Sequence, residues 1–338
     1  ARRTDGVIDF LDGDLFRKTA RYPLATVLSP GLYVNFSDCD RRVAFSKPHL
    51  SFLSRTLDVP ELMPLAREQP ADRKESTLVW GLRSLFWRPA DEPAGPSRPT
   101  RHDWFSGMQW MIARCDPDDP KALVVAAKGG HNAEMHNQND VGTVIVHVAE
   151  ESIVADVGRG RYTKAYFGPA RYEHFVNASV GHSVPLPNGV AQSPGAQYRA
   201  SLLEHTESDE RDVLELELRD AFPREADLAS LVRRVVLRRD VSGGAVEIVD
   251  SARFSTKPGE LASRFTTFGA VTIGAHAVVL SGEKGALRME FDPSVVAPRV
   301  ETEKEVDLSE GPADVSVVAF DLKVPTVNAT IALTITPE

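Results

Sequence analysis

From residue 107 onward, apolar and polar positions alternate in short runs. The alternation predicts strands at 107–114, 122–127, 141–148, 197–203, 213–218, 232–239, 245–249, 261–268, 275–280, 286–291, 315–322 and 329–335. Many of these runs are rich in β-branched residues, and Gly, Pro or Asp clusters separate them. Strands that follow one another without intervening helices argue for an antiparallel sandwich and against a parallel α/β sheet. The sequence shows no internal repeat.

The first quarter has a different period. Leu15, Ala20, Leu24 and Leu28 mark one face of a helix over 12–28, which Pro23 interrupts. Ser46-Lys47-Pro48 suits a helix start, Val59-Pro60-Glu61 suits another, and 75–87 reads as a third with Leu78, Leu82 and Leu85 on one side. No strand signal occurs there. Residues 88–101 carry Pro89, Pro93, Pro96 and Pro99 with Gly95, which leaves no room for a regular element and marks a linker. The expected architecture is α+β, mainly β. A helical segment with its Pro-rich linker spans 1–100, and a large antiparallel β-sandwich spans 101–338.

Length and charge narrow the functional classes. At 338 residues the chain exceeds ordinary single-domain size. A formal charge of -9 argues against a nucleic-acid partner and is the wrong sign for steering a polyanion over long range. A polyanionic ligand would need a local basic patch, for which Arg159, Arg161, Lys164 and Arg171 are the candidates. Cys39 and Cys115 lie far apart and fit no metal-binding spacing, so two unpaired buried thiols are expected. No apolar run reaches the length of a membrane span. The chain opens on Ala1-Arg2-Arg3-Thr4-Asp5-Gly6, without an initiator Met or a signal-peptide pattern, as a processed or truncated piece would.

The chemistry-bearing residues concentrate in 129–192. Four of the nine histidines fall between His131 and His174, and His182 follows. The stretch contains Gly129-Gly130-His131-Asn132, then Asn137-Gln138-Asn139-Asp140-Val141-Gly142, then Asp156-Val157-Gly158-Arg159-Gly160-Arg161-Tyr162, then Gly181-His182 with Pro185 and Asn188-Gly189. In that order these elements resemble the C-terminal sandwich domain of the heparinase II/III family of polysaccharide lyases. The resemblance implies cleavage of a uronic-acid-containing polysaccharide by β-elimination, and a periplasmic or secreted location. Family members carry a large α-helical toroid before the sandwich. Residues 1 to about 90 look like only its last helices, so the toroid's own active-site residues have no counterpart here.

Elimination from a uronate makes three demands. The carboxylate must be neutralised, a base must take the C5 proton, and an acid must protonate the leaving oxygen at C4. Histidine can serve as either acid or base near neutral pH, and Tyr can when nearby positive charge lowers its pKa from about 10. Tyr172 follows Arg171 and sits where alginate-cleaving relatives have a catalytic Tyr. Tyr162 and Tyr166 are its rivals. His136 takes the place of a family histidine close to the substrate. His131, Arg161, Arg171 and Tyr162 are candidate substrate contacts, with His131 also suited to ordering its loop. Asn137, Asn139 and Asp140 read as turn residues, and His147 as a sheet residue.

The resemblance also implies a zinc site at Gln138, Asp156 and His182. Gln138 departs from the family's histidine, and a neutral amide is a poor zinc ligand. Without metal, Asp156 and His182 would still form a charge-assisted pair pinning two loops. A rival class remains open, a non-catalytic carbohydrate-binding or assembly module. A third option is a scaffold whose histidines are structural.

Overall fold

The computed structural model describes residues 13–69, 77–87 and 98–338. They form two compact units. One holds the described residues up to Tyr33 and those from Arg42 to Thr100; the other holds Val34–Arg41 and Arg101–Glu338.

The smaller unit is mainly helical. The run expected as one helix over 12–28 is two, Asp14–Ala20 and Tyr22–Ala25, followed by a strand at Val27–Ser29. Pro23 lies in the first turn of the second piece, where its missing N–H costs nothing. Val27–Ser29 pairs antiparallel with Leu32–Tyr33, a hairpin too short to show a period-two pattern. Helices Lys47–Thr56 and Leu62–Glu68 pack Leu50, Leu57, Leu62 and Leu65 around Tyr33 and Leu24. Helix Leu78–Trp87 follows, and Trp87 stacks on Phe52 at 4.6 Å. The start of that predicted helix, and most of the predicted linker, lie outside the described residues. No helix among the described residues is long and apolar enough to cross a membrane.

The larger unit is built of antiparallel sheets. The largest has eight strands in the order Ser201–Glu207, Arg211–Glu217, Leu228–Arg238, Ala245–Phe254, Asn328–Pro337, Ala286–Glu290, Ala277–Ser281 and Ala270–Ile273. A four-stranded sheet runs Val296–Leu308, Gly311–Leu322, Leu261–Thr267, Leu186–Pro187. A five-stranded sheet runs His102–Phe105, Trp110–Arg114, Val124–Lys128, Val144–Val148, Glu151–Val154. One continuous core takes Leu214, Leu231, Ile248 and Leu333 from the first, Phe265 and Phe320 from the second, and Met111, Val125 and Val146 from the third. The three middle strands of the five-stranded sheet are buried on both faces, which explains their near-continuous apolar sequence.

One polar set interrupts this core. Arg233 stands in the inward row between Leu231 and Val235 and is 1% exposed. It faces Asp250 across the ladder and forms a two-pronged ion pair with it, Nε and Nη2 each 2.7 Å from a carboxylate oxygen. The Ser263 hydroxyl donates to the same carboxylate at 2.6 Å. The remaining Nη1 donates to the carbonyls of Gly142 at 2.8 Å and Ser183 at 2.6 Å. A buried pair is tolerable only when its spare donors are satisfied. Here those spare donors fasten two loops of the 129–192 stretch to the sheets.

Candidate functional site

The five-stranded sheet explains how distant residues of that stretch meet. Val144–Val148 and Glu151–Val154 form a hairpin, with Val146 opposite Val154. The loop entering the first strand and the loop leaving the second therefore emerge at the same end. His136, on the entering loop, and Tyr162, on the leaving loop, meet there, with His136 Nδ1 3.1 Å from the Tyr162 hydroxyl and the rings parallel to within 7°. Both are exposed.

Beneath this pair lies a residue that sequence patterns do not single out. Asp38, from Val34–Arg41, buries its whole carboxylate in the loop cluster. Its Oδ2 accepts from Arg171 Nη2 at 2.8 Å and from the Tyr162 hydroxyl at 3.2 Å, and lies 3.4 Å from His136 Nδ1. Its Oδ1 accepts from the Tyr166 hydroxyl at 2.6 Å and from Gln138 Nε2 at 3.2 Å. No sequence spacing links Asp38 to these partners; the signal was its polarity in a run of buried neighbours, Val34 to Phe36.

The segment carrying Asp38 is held along its length. Asn35 Nδ2 donates to the Asp156 carbonyl at 3.1 Å, and the buried Lys128 Nζ, paired with Asp140 at 2.5 Å, donates to Ser37 Oγ at 3.3 Å. Arg159 grips Asp40 with two donors, at 3.2 and 2.6 Å. Gly158 has φ +65, and a Cβ there would lie 2.6 Å from the Cys39 carbonyl oxygen. The Asp-x-Gly element thus needs its glycine both for the left-handed backbone and for close approach of this segment.

The other candidates divide by environment. Tyr172 lies in the short 3-10 helix Arg171–Glu173, half-buried, and its hydroxyl accepts from Asn137 Nδ2 at 3.3 Å. Arg171 spends its guanidinium on Asp38 and on the Asn137 carbonyl at 2.8 Å, and lies over the rings of Tyr166 and Phe167 at 4.6 and 5.3 Å. Arg161 is exposed and pairs with Asp307 at 3.1 Å. Lys164 is exposed, with no ion pair among the described residues. Three of the four cations of the expected basic patch are therefore locally neutralised. Tyr166 is buried, and burial followed by the Asp38 contact pushes its hydroxyl pKa well up. Burial and then Asp38 also raise that of Tyr162. His131 Nδ1 accepts from the Ala133 amide at 3.2 Å, a contact that orders its own loop. His147 is buried in the sheet, 3.1 Å from Ser152 Oγ. Cys39 and Cys115 are free and half-buried.

Two of the implied zinc ligands, Asp156 and His182, come within hydrogen-bond distance, and Gln138 reaches the same Gly158 turn. His182 Nδ1 is 3.1 Å from Asp156 Oδ2, and its Nε2 is 3.2 Å from the Val176 carbonyl. Both ring nitrogens face acceptors. Burial opposes a charge on His182, but the Asp156 carboxylate outweighs it and raises the pKa. The other Asp156 oxygen accepts from the Gly158 amide at 2.8 Å. Gln138 turns its amide nitrogen to the Gly158 carbonyl at 2.9 Å and to Asp38; only its Oε1, buried without a partner among the described residues, is left. Among the described residues no three His, Cys, Asp or Glu side chains are grouped to hold a metal ion. Asp156 and His182 form a buried hydrogen-bonded pair that joins two loops.

No protein-family model and no curated protein sequence matches the chain. Solved structures do. Heparinase III superposes with a TM-score of 0.74 at 14% identity, over 100% of this chain and 50% of that one. The heparan sulfate lyase HepC from Pedobacter heparinus gives 0.70 at 13% identity, over 95% of this chain and 46% of that one. A heparinase III gene product with methylated lysines gives 0.71 at 14%, over 96% and 46%. The fold is therefore heparinase III-like, a mainly β, α+β architecture. The chain spans about half the length of the structures it matches.

Proposed function

We propose that this chain is the sandwich-bearing part of a polysaccharide lyase that cleaves a uronic-acid-containing polymer by β-elimination. The observation that carries the proposal is the exposed His136–Tyr162 pair, seated over the buried Asp38–Arg171 ion pair on a heparinase III-like sandwich. His136 has a ring nitrogen, Nε2, with no partner among the described residues, and its side chain is 55% exposed. It is the base. Tyr172 accepts a hydrogen bond from Asn137, and its own proton has no acceptor among the described residues. It is the acid.

In the proposed step His136 Nε2 takes the C5 proton. The C4–C5 double bond forms as the C4–O4 bond breaks, and the O4 electron pair takes the Tyr172 proton. Arg171 is committed to Asp38, so carboxylate neutralisation falls to Arg161, whose exposed pairing with Asp307 is weak, and to Lys164. The chain spans about half of the related structures, and a toroid domain outside it is proposed to close over this loop cluster. We infer a periplasmic or secreted location for such an enzyme.

Incubation with heparin, heparan sulfate, hyaluronan, alginate and bacterial exopolysaccharides tests the proposal. Growth of the near-ultraviolet absorbance of an unsaturated uronate is expected, lowered by about 100-fold or more in Tyr172→Phe. Binding without absorbance growth would favour the second reading, a non-catalytic carbohydrate-binding module. That reading draws on the exposed faces of Tyr162 and Phe167, 39% and 54% accessible, and on the internally spent arginines.

A further inference from the structure

We propose that Asp38 is the positioning residue of this site: it fixes His136 in the tautomer that carries its proton on Nδ1, leaving Nε2 bare toward solvent. The inference deepens the proposed lyase reading and rests on it for its catalytic meaning. Its structural content stands on the contacts alone.

The Tyr162 hydroxyl has one hydrogen and two polar neighbours, Asp38 Oδ2 at 3.2 Å and His136 Nδ1 at 3.1 Å. A carboxylate can only accept. Were the hydroxyl to donate to His136, its lone pairs would face a buried anionic oxygen, and one lone pair of Asp38 would lose its donor. The hydrogen therefore goes to Asp38, and Tyr162 oxygen accepts from His136. Nδ1 must then carry hydrogen. The direct approach of Nδ1 to Asp38 Oδ2 at 3.4 Å favours the same tautomer.

The backbone is built for this placement. His136 has φ 58, a left-handed conformation that non-glycine residues adopt at a cost. Its carbonyl accepts from the Asp38 amide at 3.2 Å, so side chain and main chain of Asp38 both grip it. Arg171 Nη2 at 2.8 Å holds the carboxylate in place. Asp38 is buried and touches no solvent-facing space, so it acts through His136 and Tyr162 and not on the substrate.

The test is imidazole nitrogen NMR on the intact chain at about pH 8.5, above the ordinary imidazole value. Wild-type His136 is expected to show hydrogen on Nδ1 and a bare Nε2. In Asp38→Asn an amide donor can face Nδ1, so the hydrogen should move to Nε2. In Tyr162→Phe the Asp38–Arg171 pair is kept and only the bridging hydroxyl is lost, so the Nδ1–H fraction should fall even if Asp38→Asn does not fold. Unmoved signals from buried His182 certify the fold in either variant. On a substrate that turns over, Asp38→Asn should lower kcat by about 100-fold with KM within about threefold. A bare Nδ1 in the wild type, or an unchanged tautomer in folded Asp38→Asn, overturns the proposal. If no polysaccharide is cleaved, the lyase reading fails, and the tautomer measurement still decides what Asp38 does.

Discussion

Arg171 and Asp38, 133 residues apart in the chain, meet at 2.8 Å, with the carboxylate fully buried and the guanidinium nearly so. The pairing turns a cation that the sequence offered to a polyanion into the counter-ion of a buried carboxylate. Arg171→Met should leave Asp38 uncompensated and cost about 3–5 kcal/mol in urea unfolding. Had Arg171 served substrate alone, binding would weaken at unchanged stability.

Arg233 ties the same loops from below. Arg233→Ala leaves the Asp250 carboxylate and the Gly142 and Ser183 carbonyls without their donor, so a loss of about 3–5 kcal/mol is expected. Amide exchange should quicken around 140–143 and 181–184 more than in strand Ala286–Glu290, which lies at the far side of the sheet. Uniform quickening would contradict the tether.

His147 gives the protein an acid-side weakness. Burial, and then Lys284, lower its pKa from 6.5 to about 3, so the folded chain keeps it neutral where the unfolded chain protonates it. Its contribution is present above pH 6.5 and is lost as pH falls towards 3, roughly 4–5 kcal/mol in all. His182 has a raised pKa and acts in the opposite window: its contribution is present below the ordinary imidazole value and fades as pH rises past it. His147→Leu should flatten the slope of unfolding free energy between pH 6 and 4 by about 1.4 kcal/mol per pH unit. An unaltered slope would refute the assignment.

The closed Asp156–His182 pair predicts that the purified protein retains no stoichiometric zinc after dialysis, by elemental analysis. Tight zinc that His182→Ala abolishes would show that the pair opens to a metal.

The sandwich was legible because alternation survives wherever one sheet face is buried, as at Gly311–Leu322. It failed at Val296–Leu308, where Arg299, Glu301, Glu303, Lys304 and Glu305 are all partly or fully exposed and no apolar row remains. In the site, His136 and Tyr162 were each legible as candidates, but their meeting was not. Asp38 was not legible, because its five partners come from residues 136 to 171 and only the folded chain brings them together. The contact of His205 is hidden from the sequence for the same reason: it stacks on Trp104 at 4.0 Å across two sheets.

The central claim, elimination and not hydrolysis, is tested most directly by digesting a uronate polymer with the chain in water enriched in oxygen-18. The account predicts products that gain the near-ultraviolet absorbance of the C4–C5 double bond and take up no label at the cleaved linkage. Labelled, saturated products would contradict it.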